Sequence, residues 1–305
     1  MKEAEKQLLL AVADTDDLGK GAYSLRANGA GAAIHSNDVV TIQKKEGQPG
    51  ITVRVSSAAK GEKVYIPVVI TQSGVDDLVY NDIYIEDGAE VEIIAGCGIH
   101  NDGEHESRHD GIHTFYIGKH AKLTYVEKHY GQGDGVGGRV LNPTTVLHLD
   151  EGAECTLDST QIKGVDSTKR KTDAYLGKDS KLIVLEKLMT HGEQKAYSDM
   201  DVFLKGEGAV ARIVSRSVAR DASVQVFHPR ALGHSACKAH IQCDSIIMDG
   251  AQVSSIPEIG AYHVDAQIVH EAAIGRINND QLIKLMSFGL TEEEAEAVIV
   301  DTFLQ

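Results

Sequence analysis

The sequence predicts a mainly β protein, a parallel β-helix closed by helical ends. The first observation behind this is a recurring turn unit. An apolar residue, three turn-type residues, a small residue and one polar residue lead into each new strand. The unit reads IEDGAEV from Ile85, IGKHAKL from Ile117, LDEGAEC from Leu149, LGKDSKL from Leu176 and, less strictly, LKGEGAV from Leu204, with a looser IMDGAQV from Ile247. Its spacings of 32, 32, 27, 28 and 43 residues are those of stacked repeats. The second observation is that the units are strand–turn–strand, with no long 3.6-residue period between them. That leaves a solenoid, a sandwich or a barrel. In a solenoid each strand pairs with its equivalent one coil up, so a turn must recur at the same corner. This favours the β-helix, with a jelly-roll or cupin barrel as second choice.

Each part follows from local pattern. Residues 1–17 read as a short amphipathic helix with Leu8, Leu9, Ala11 and Val12 on its apolar side. Residues 1–30 are expected to form a helical cap over an open end. Residues 31–277 form the β-helix core, and ITVRV shows the period-2 signature of a half-buried strand in Ile51, Val53 and Val55. Residues 278–305 form a helical hairpin. Asn278 or Asn279 is the N-cap of its first helix, which carries Leu282, Leu285 and Met286, and Gly289 is the stop. Thr291 and Glu294 form a capping box for the second, with Leu290 and Ala295 as a modest staple. Ala295, Val298, Ile299, Thr302 and Phe303 then line one face. That stripe either packs on its own protein or docks a partner.

Composition excludes several classes. With 42% apolar residues the chain is not disordered. Gly is 30 of 305 but Pro only 5, with no period of three, so it is not collagen-like. A formal charge of −15 without a basic run argues against nucleic acid as a partner. No run approaches the ~18 apolar residues of a membrane span. The apolar stretch near the start is too short for a secretory signal. Cys97, Cys155, Cys237 and Cys243 then read as reduced thiols of a cytoplasmic protein.

Two stretches carry chemistry. Residues 97–120 hold Cys97, His100, His105, His109, His113 and His120 among Glu104, Glu106 and Asp110. Such side chains bind zinc or iron, although the spacing fits no fixed template. The other readings are a polar exposed loop, or a reactive Cys97 activated by basic neighbours. In residues 234–277, His270 and Glu271 follow Cys243 by 27 and 28 residues, about one coil. Positions one coil apart lie ~4.8 Å apart, so the three can meet. They make a partial ligand set that a second copy or a partner would complete.

These residues carry a resemblance. CDSIIMDGAQVSSIPEI followed by HVDAQIVHEAAIGRINNDQLIKLMSFGLTEEEAEAVIVDTFL is similar to the C-terminal half of the SufB/SufD proteins of the SUF iron–sulfur assembly machinery. The match is good over residues 230–305 and loose over 60–230. It implies a right-handed parallel β-helix that serves as a scaffold for nascent iron–sulfur clusters and is not itself an enzyme. It also implies that the C-terminal helices dock a SufC-type ABC ATPase, through Leu282, Leu285, Met286, Val298, Ile299 and Phe303. Scaffold pairing, as a homodimer or a SufB/SufD-like heterodimer, would bring ligands for a transient cluster together. By position, Cys243 matches the SufB cysteine of cluster formation, Glu271 the SufB glutamate, and His270 the histidine that SufD contributes. Cys97 matches the proposed persulfide acceptor at Gly96-Cys97, but Gly98-Ile99-His100 departs from the family pattern. A cysteine desulfurase or another donor would supply sulfur. Flavin binding is not carried over.

The resulting expectation is that sulfur enters at Cys97 and travels about five coils, roughly 24 Å, to Cys243. Two other classes stand beside it. One is a metal-dependent cupin-like enzyme centred on His100, His105, His109 and His113. The other is a structural adaptor for an ABC-type ATPase.

Overall fold

The computed structural model describes residues 3–19 and 21–305. The first two residues of the expected N-terminal helix lie outside them. The chain is a parallel β-solenoid of about 8 turns. Two sheets face each other across one apolar interior. The first runs through Lys60–Tyr65, Glu90–His100, Lys122–Gln132, Glu154–Lys163, Lys181–Thr190, Val210–Ala219 and Lys238–Ile247 to Gln267–Gly275. The second runs through Ile51–Val55, Asp76–Ile85, Ser107–Ile117, the coil of Arg139–Leu141 and Thr144–Leu149, Ser167–Leu176, Lys195–Leu204 and Val224–Gly233 to Gln252–Ser255 and Glu258–Ala261. Antiparallel pairing occurs at the start, where Ala22–Ala27 pairs Ala30–His35 and Val40–Lys44 pairs Ile51–Val55. The sheet thus begins within the stretch expected to be helical cap.

The repeated turn does what its composition requires. Its fourth residue takes a left-handed φ in four successive copies: Gly88 at 70°, His120 at 56°, Gly152 at 66° and Asp179 at 52°. The small residue that follows is sealed inside: Ala89, Ala121, Ala153 and Ser180 are each 0% exposed. A larger side chain there would collide with the corner below. Between corners the strands alternate, as in the buried-then-partly-exposed pattern of Ser107–Ile117. The core is Val, Ile, Leu and Ala, with Phe115 and Tyr125 as its two large rings, 4.6 Å apart. On the outer face of the second sheet, Tyr84, Tyr116, His148, Tyr175 and Phe203 stack rung upon rung, which follows from exact strand register.

Helix α1 (Glu3–Ala13) does not cover an open end. It lies on the outer face of the first sheet, burying Leu8, Leu9 and Val12. Glycines permit this approach. A Cβ on Gly96 would stand 2.5 Å from Val12, and one on Gly98 3.0 Å from Leu8. The C-terminal helices α2 (Asn279–Ser287) and α3 (Glu292–Leu304) form as expected. Asn278 caps α2, Thr291 and Glu294 close the capping box, and Gly289 turns at φ 97°. The apolar stripe divides differently. α3 buries Val300 and Leu304, with Phe303, against Val218 and Met248 of the solenoid, and buries Ala295 as well. Val298 is left exposed beside Ile283, Met286 and Phe288. No described helix is long and apolar enough to cross a membrane.

Candidate functional site

The interior of the first sheet carries a polar column. Residues in register, one coil after another, are Ala95, Glu127, Ser159, Glu186, Ser215, Cys243 and Ala272. Cys97 points inward two residues beyond Ala95 on Glu90–His100, and its register partner one coil on is His129. Five strand steps separate the strands of Cys97 and Cys243. At the usual interstrand spacing that is about 24 Å.

Charged groups fill the space between. Arg170, projecting from the second sheet and only 6% exposed, bonds Glu127 and His129 and lies 3.8 Å from Glu186. Glu186 also accepts from Ser198 at 3.1 Å and Ser215 at 2.9 Å. Burial works against ionising Glu127, yet Arg170 and His129 hold its pKa down to about 2. Burial, opposed in part by Glu127, lowers both His113 and His129 to about 4, so both rings are neutral at physiological pH. Each buried charge here has a partner, as a low-dielectric interior demands.

Cys97 lies at the N-terminal end of this polar stretch, 4% exposed. Burial first, then Asp77 and Glu127, push its thiol well above the ordinary value. It lines a cavity of about 20 Å³ with His109, His113, Glu127 and His129. At the other end, burial raises Cys243 to about 11 despite a neighbouring Ser255 hydroxyl. Cys155 is raised by burial alone to about 12. With Cys237 it sits in the apolar core as a small hydrophobe.

Cys243 and His270 share the inward face of the last two coils, and Glu271 does not. Cys243 pairs with Ala272 in register, and His270 is on the same inward face of the final strand. Its Nε2 is buried without a protein partner. Glu271, the next residue, points outward, where it meets His240 at 3.0 Å. Among the described residues no group of three or more His, Cys, Asp or Glu side chains is arranged to hold a metal. The last coil is also the exposed end of both sheets. Gln267–Gly275 has one strand neighbour, and Tyr262 and Val264 are 66% and 94% exposed. An unpaired apolar sheet edge is a template for another chain.

The histidine-rich segment separates. His100 pairs with Asp102 at 2.7 Å, His105 is on an exposed loop, and His109 and His113 point inside. The four imidazoles expected to share a metal therefore face different compartments. Sequence reading missed Asp77, Glu127, Arg170 and Glu186. The signal was present: in KLTYVEKHY, Glu127 and His129 continue the inward alternation of Leu123 and Tyr125.

Comparison with known proteins gives a consistent result. Residues 69–303 match the family model described as SUF system FeS cluster assembly, SufBD core domain. An iron–sulfur cluster assembly SufBD family protein of Methanothermobacter thermautotrophicus (strain Winter) is 30% identical over 233 residues, 74% of this chain and 54% of its own length. One from Methanocaldococcus jannaschii is 28% identical over 274 residues, covering 88% of this chain and 85% of that protein. A chloroplastic member from Arabidopsis thaliana is 27% identical over 232 residues, 72% of this chain and 41% of that protein. The chain thus spans about half the length of the Methanothermobacter relative it matches.

Proposed function

The chain belongs to the SufBD family of the SUF iron–sulfur cluster assembly system, and from that premise we propose that it is a scaffold on which a nascent cluster is built at the open end of the solenoid. The observation that carries this reading is that Cys243 and His270, whose Nε2 has no protein partner, share the inward face of the last two coils, two register positions apart and next to an unpaired apolar edge. A thiolate and an imidazole are iron ligands. One chain supplies too few of them. A second scaffold, either another copy or a SufB/SufD-like partner, would cover the edge and bring its own set. Glu271 is held outward by His240 and would join once pairing rearranges the rim.

In this reading Cys97 accepts sulfur as a persulfide, from a cysteine desulfurase or another donor. The hydroxyls and paired charges between Cys97 and Cys243 form the polar route inside an otherwise aliphatic coil. A SufC-type ABC ATPase docks on the C-terminal hairpin. The exposed face there is Ile283, Met286, Phe288 and Val298. Phe303, Ile299, Leu282 and Leu285 are half-buried, so they support that face more than they form it. ATP hydrolysis belongs to that partner.

The test is anaerobic loading of Cys243→Ser with iron and sulfide. The variant is expected to lose the visible absorbance and the bound iron and sulfide of the wild type. A wild-type level of both in the variant overturns the assignment.

A further inference from the structure

We propose that Asp77, His109 and Cys97 form a buried acid–base–nucleophile triad, in which His109 takes the Cys97 thiol proton as that thiol accepts sulfur from a small sulfane-sulfur donor. This deepens, and rests on, the reading of Cys97 as sulfur acceptor.

The geometry starts from Arg26. Its Nε donates to Asp77 Oδ2 at 2.7 Å and its Nη2 to Asp77 Oδ1 at 2.5 Å, a bidentate clamp. Asp77 Oδ2 in turn lies 3.0 Å from His109 Nδ1. Burial opposes ionisation of Asp77, but Arg26 and His109 outweigh it and hold the carboxyl well below the usual carboxylate range. A carboxylate only accepts, so His109 carries its proton on Nδ1 and turns Nε2 to the opposite side. That side is the cavity shared with Cys97. A base oriented by a carboxylate and facing a thiol is the arrangement of a nucleophile activated by an adjacent general base.

His113 has the complementary role. Asn81 Oδ1 is committed to the Ile51 N–H at 3.0 Å, so the amide's Nδ2 donates to His113 Nδ1 across 3.4 Å. The neutral ring must then carry its proton on Nε2. Both Nε2 atoms border the space over Gly111, where a Cβ would come 2.7 Å from that of His113 and 3.2 Å from that of His109. An acceptor and a donor thus flank one space beside the thiol. Its volume of about 20 Å³ suits one water or one added sulfur atom. Proton transfer through one water is within the reach of a general base.

The approach is also built. A cavity of about 200 Å³ at the N-terminal end shares Ile66 and Val68 with the Cys97 cavity. Arg26, Lys44 and Lys45 line it and no acid does. Arg26 is paired with Asp77 and Lys45 with Asp82 at 2.6 Å, so the attraction of a small anion, such as a hydropolysulfide, falls to Lys44.

The step balances. The Cys97 sulfur bonds to the donor's terminal sulfur, and the donor's S–S bond breaks. The shortened donor leaves as a thiolate with that electron pair, and the thiol proton passes to His109 Nε2. The transferred sulfur keeps its oxidation level, so no oxidant is needed. His113 Nε2–H donates to the outer sulfur of the new persulfide.

The test treats the reduced full-length chain with inorganic polysulfide under anaerobic conditions. Mass spectrometry follows the gain of one sulfur at the Cys97 and Cys243 peptides across a pH series. The titrating and charged neighbours are Asp77, Arg26, His113, Glu127, His129 and Cys97 itself, with Arg170 behind them. In His109→Gln the rate at Cys97 should fall about 10²–10⁴-fold. Its pH profile should lose the wild-type plateau and rise steadily with hydroxide, while Cys243 reacts as before. Gly111→Ala keeps every titratable group but puts a methyl between the two rings, and it should slow Cys97 alone. Wild-type rate and profile in His109→Gln overturn the triad and leave Cys97 as acceptor. If His109→Gln does not fold, a wild-type rate in Gly111→Ala overturns it. A wild type that gains sulfur at Cys243 and never at Cys97 overturns both the triad and the reading of Cys97.

Discussion

Replacing Arg170 by Met should destabilise the protein strongly, and the structure sets the size of the effect. The guanidinium is buried and is the cationic partner of two carboxylates, Glu127 and Glu186, that are 2% and 7% exposed. Met fills a comparable volume, so the packing loss is small. What remains is two buried acids without their counter-charge. Breaking a buried ion pair by removing one partner costs about 3–5 kcal/mol. The cost should also depend on pH in a defined sense. In the wild type, Glu127 has a folded pKa of about 2 against 4.5 in the unfolded chain. Its contribution is therefore fully present above about pH 4.5 and is lost as pH falls towards 2. In Arg170→Met the lone carboxylate has its folded pKa raised by burial, so acidification from neutrality neutralises it and narrows the deficit. Urea unfolding at neutral and mildly acidic pH measures both effects. Adding Glu127→Gln and Glu186→Gln should recover most of the loss, because an all-neutral interior leaves no orphaned charge. A deficit under about 1 kcal/mol in Arg170→Met, or one of equal size in the triple variant, refutes the reasoning.

Two further outcomes follow. His113 and His129 have folded pKa values near 4 against 6.5 unfolded, so their contribution is intact above about pH 6.5 and lost as pH falls towards 4. The upper bound is about 3 kcal/mol for each ring, and the urea midpoint should drop between about pH 7 and pH 5 by less in His113→Gln/His129→Gln than in the wild type. Phe288→Asp, at a 75% exposed position, should leave the unfolding midpoint unchanged and abolish co-purification with the ATPase, whereas Phe303→Asp should lower the midpoint by removing packing on Val218 and Met248; loss of ATPase binding in neither variant places the docking face elsewhere.

How much of this was legible depends on the period of the signal. The corner unit repeats at coil spacing and declares itself in one dimension: a left-handed position, then a small residue with no room for more. The caps of α2 and α3 are equally local, and they form where Asn278, Thr291 and Glu294 place them. The seat of α1 was not legible, because it depends on Gly96 and Gly98 losing their side chains opposite Leu8 and Val12, some 85 residues away. The stripe expected on α3 is one step out of phase with the buried one. Val298 lies on the apolar face of a helical wheel, but the solenoid surface meets Val300, Phe303 and Leu304. Spacing from Cys243 makes His270 and Glu271 one ligand pair, but neighbours on a strand must point to opposite faces.

The buried charges lie in the interior between the two cysteines. An aliphatic interior of Val, Ile and Leu would have been the more stable filling, since a well-packed apolar substitute for a buried ion network is often neutral or stabilising. The chain follows that rule in the column Ala89, Ala121, Ala153 and Ser180, and in the stack of Val91, Leu123, Cys155 and Leu182 that neighbours them. It departs from it between Cys97 and Cys243, where Glu127, Ser159, Glu186 and Ser215 replace aliphatics in four consecutive coils and Arg170 reaches across to balance them. A polar column between the two thiols, continued by His129, Gln161 and Ser217 in the column of Cys97 and absent from the column of Val91, Leu123, Cys155 and Leu182, is poorly explained by stability. It is explained if the interior must let a polar sulfur species pass from the N-terminal cavity to the open end while Cys155, sealed in the dry column, stays inert.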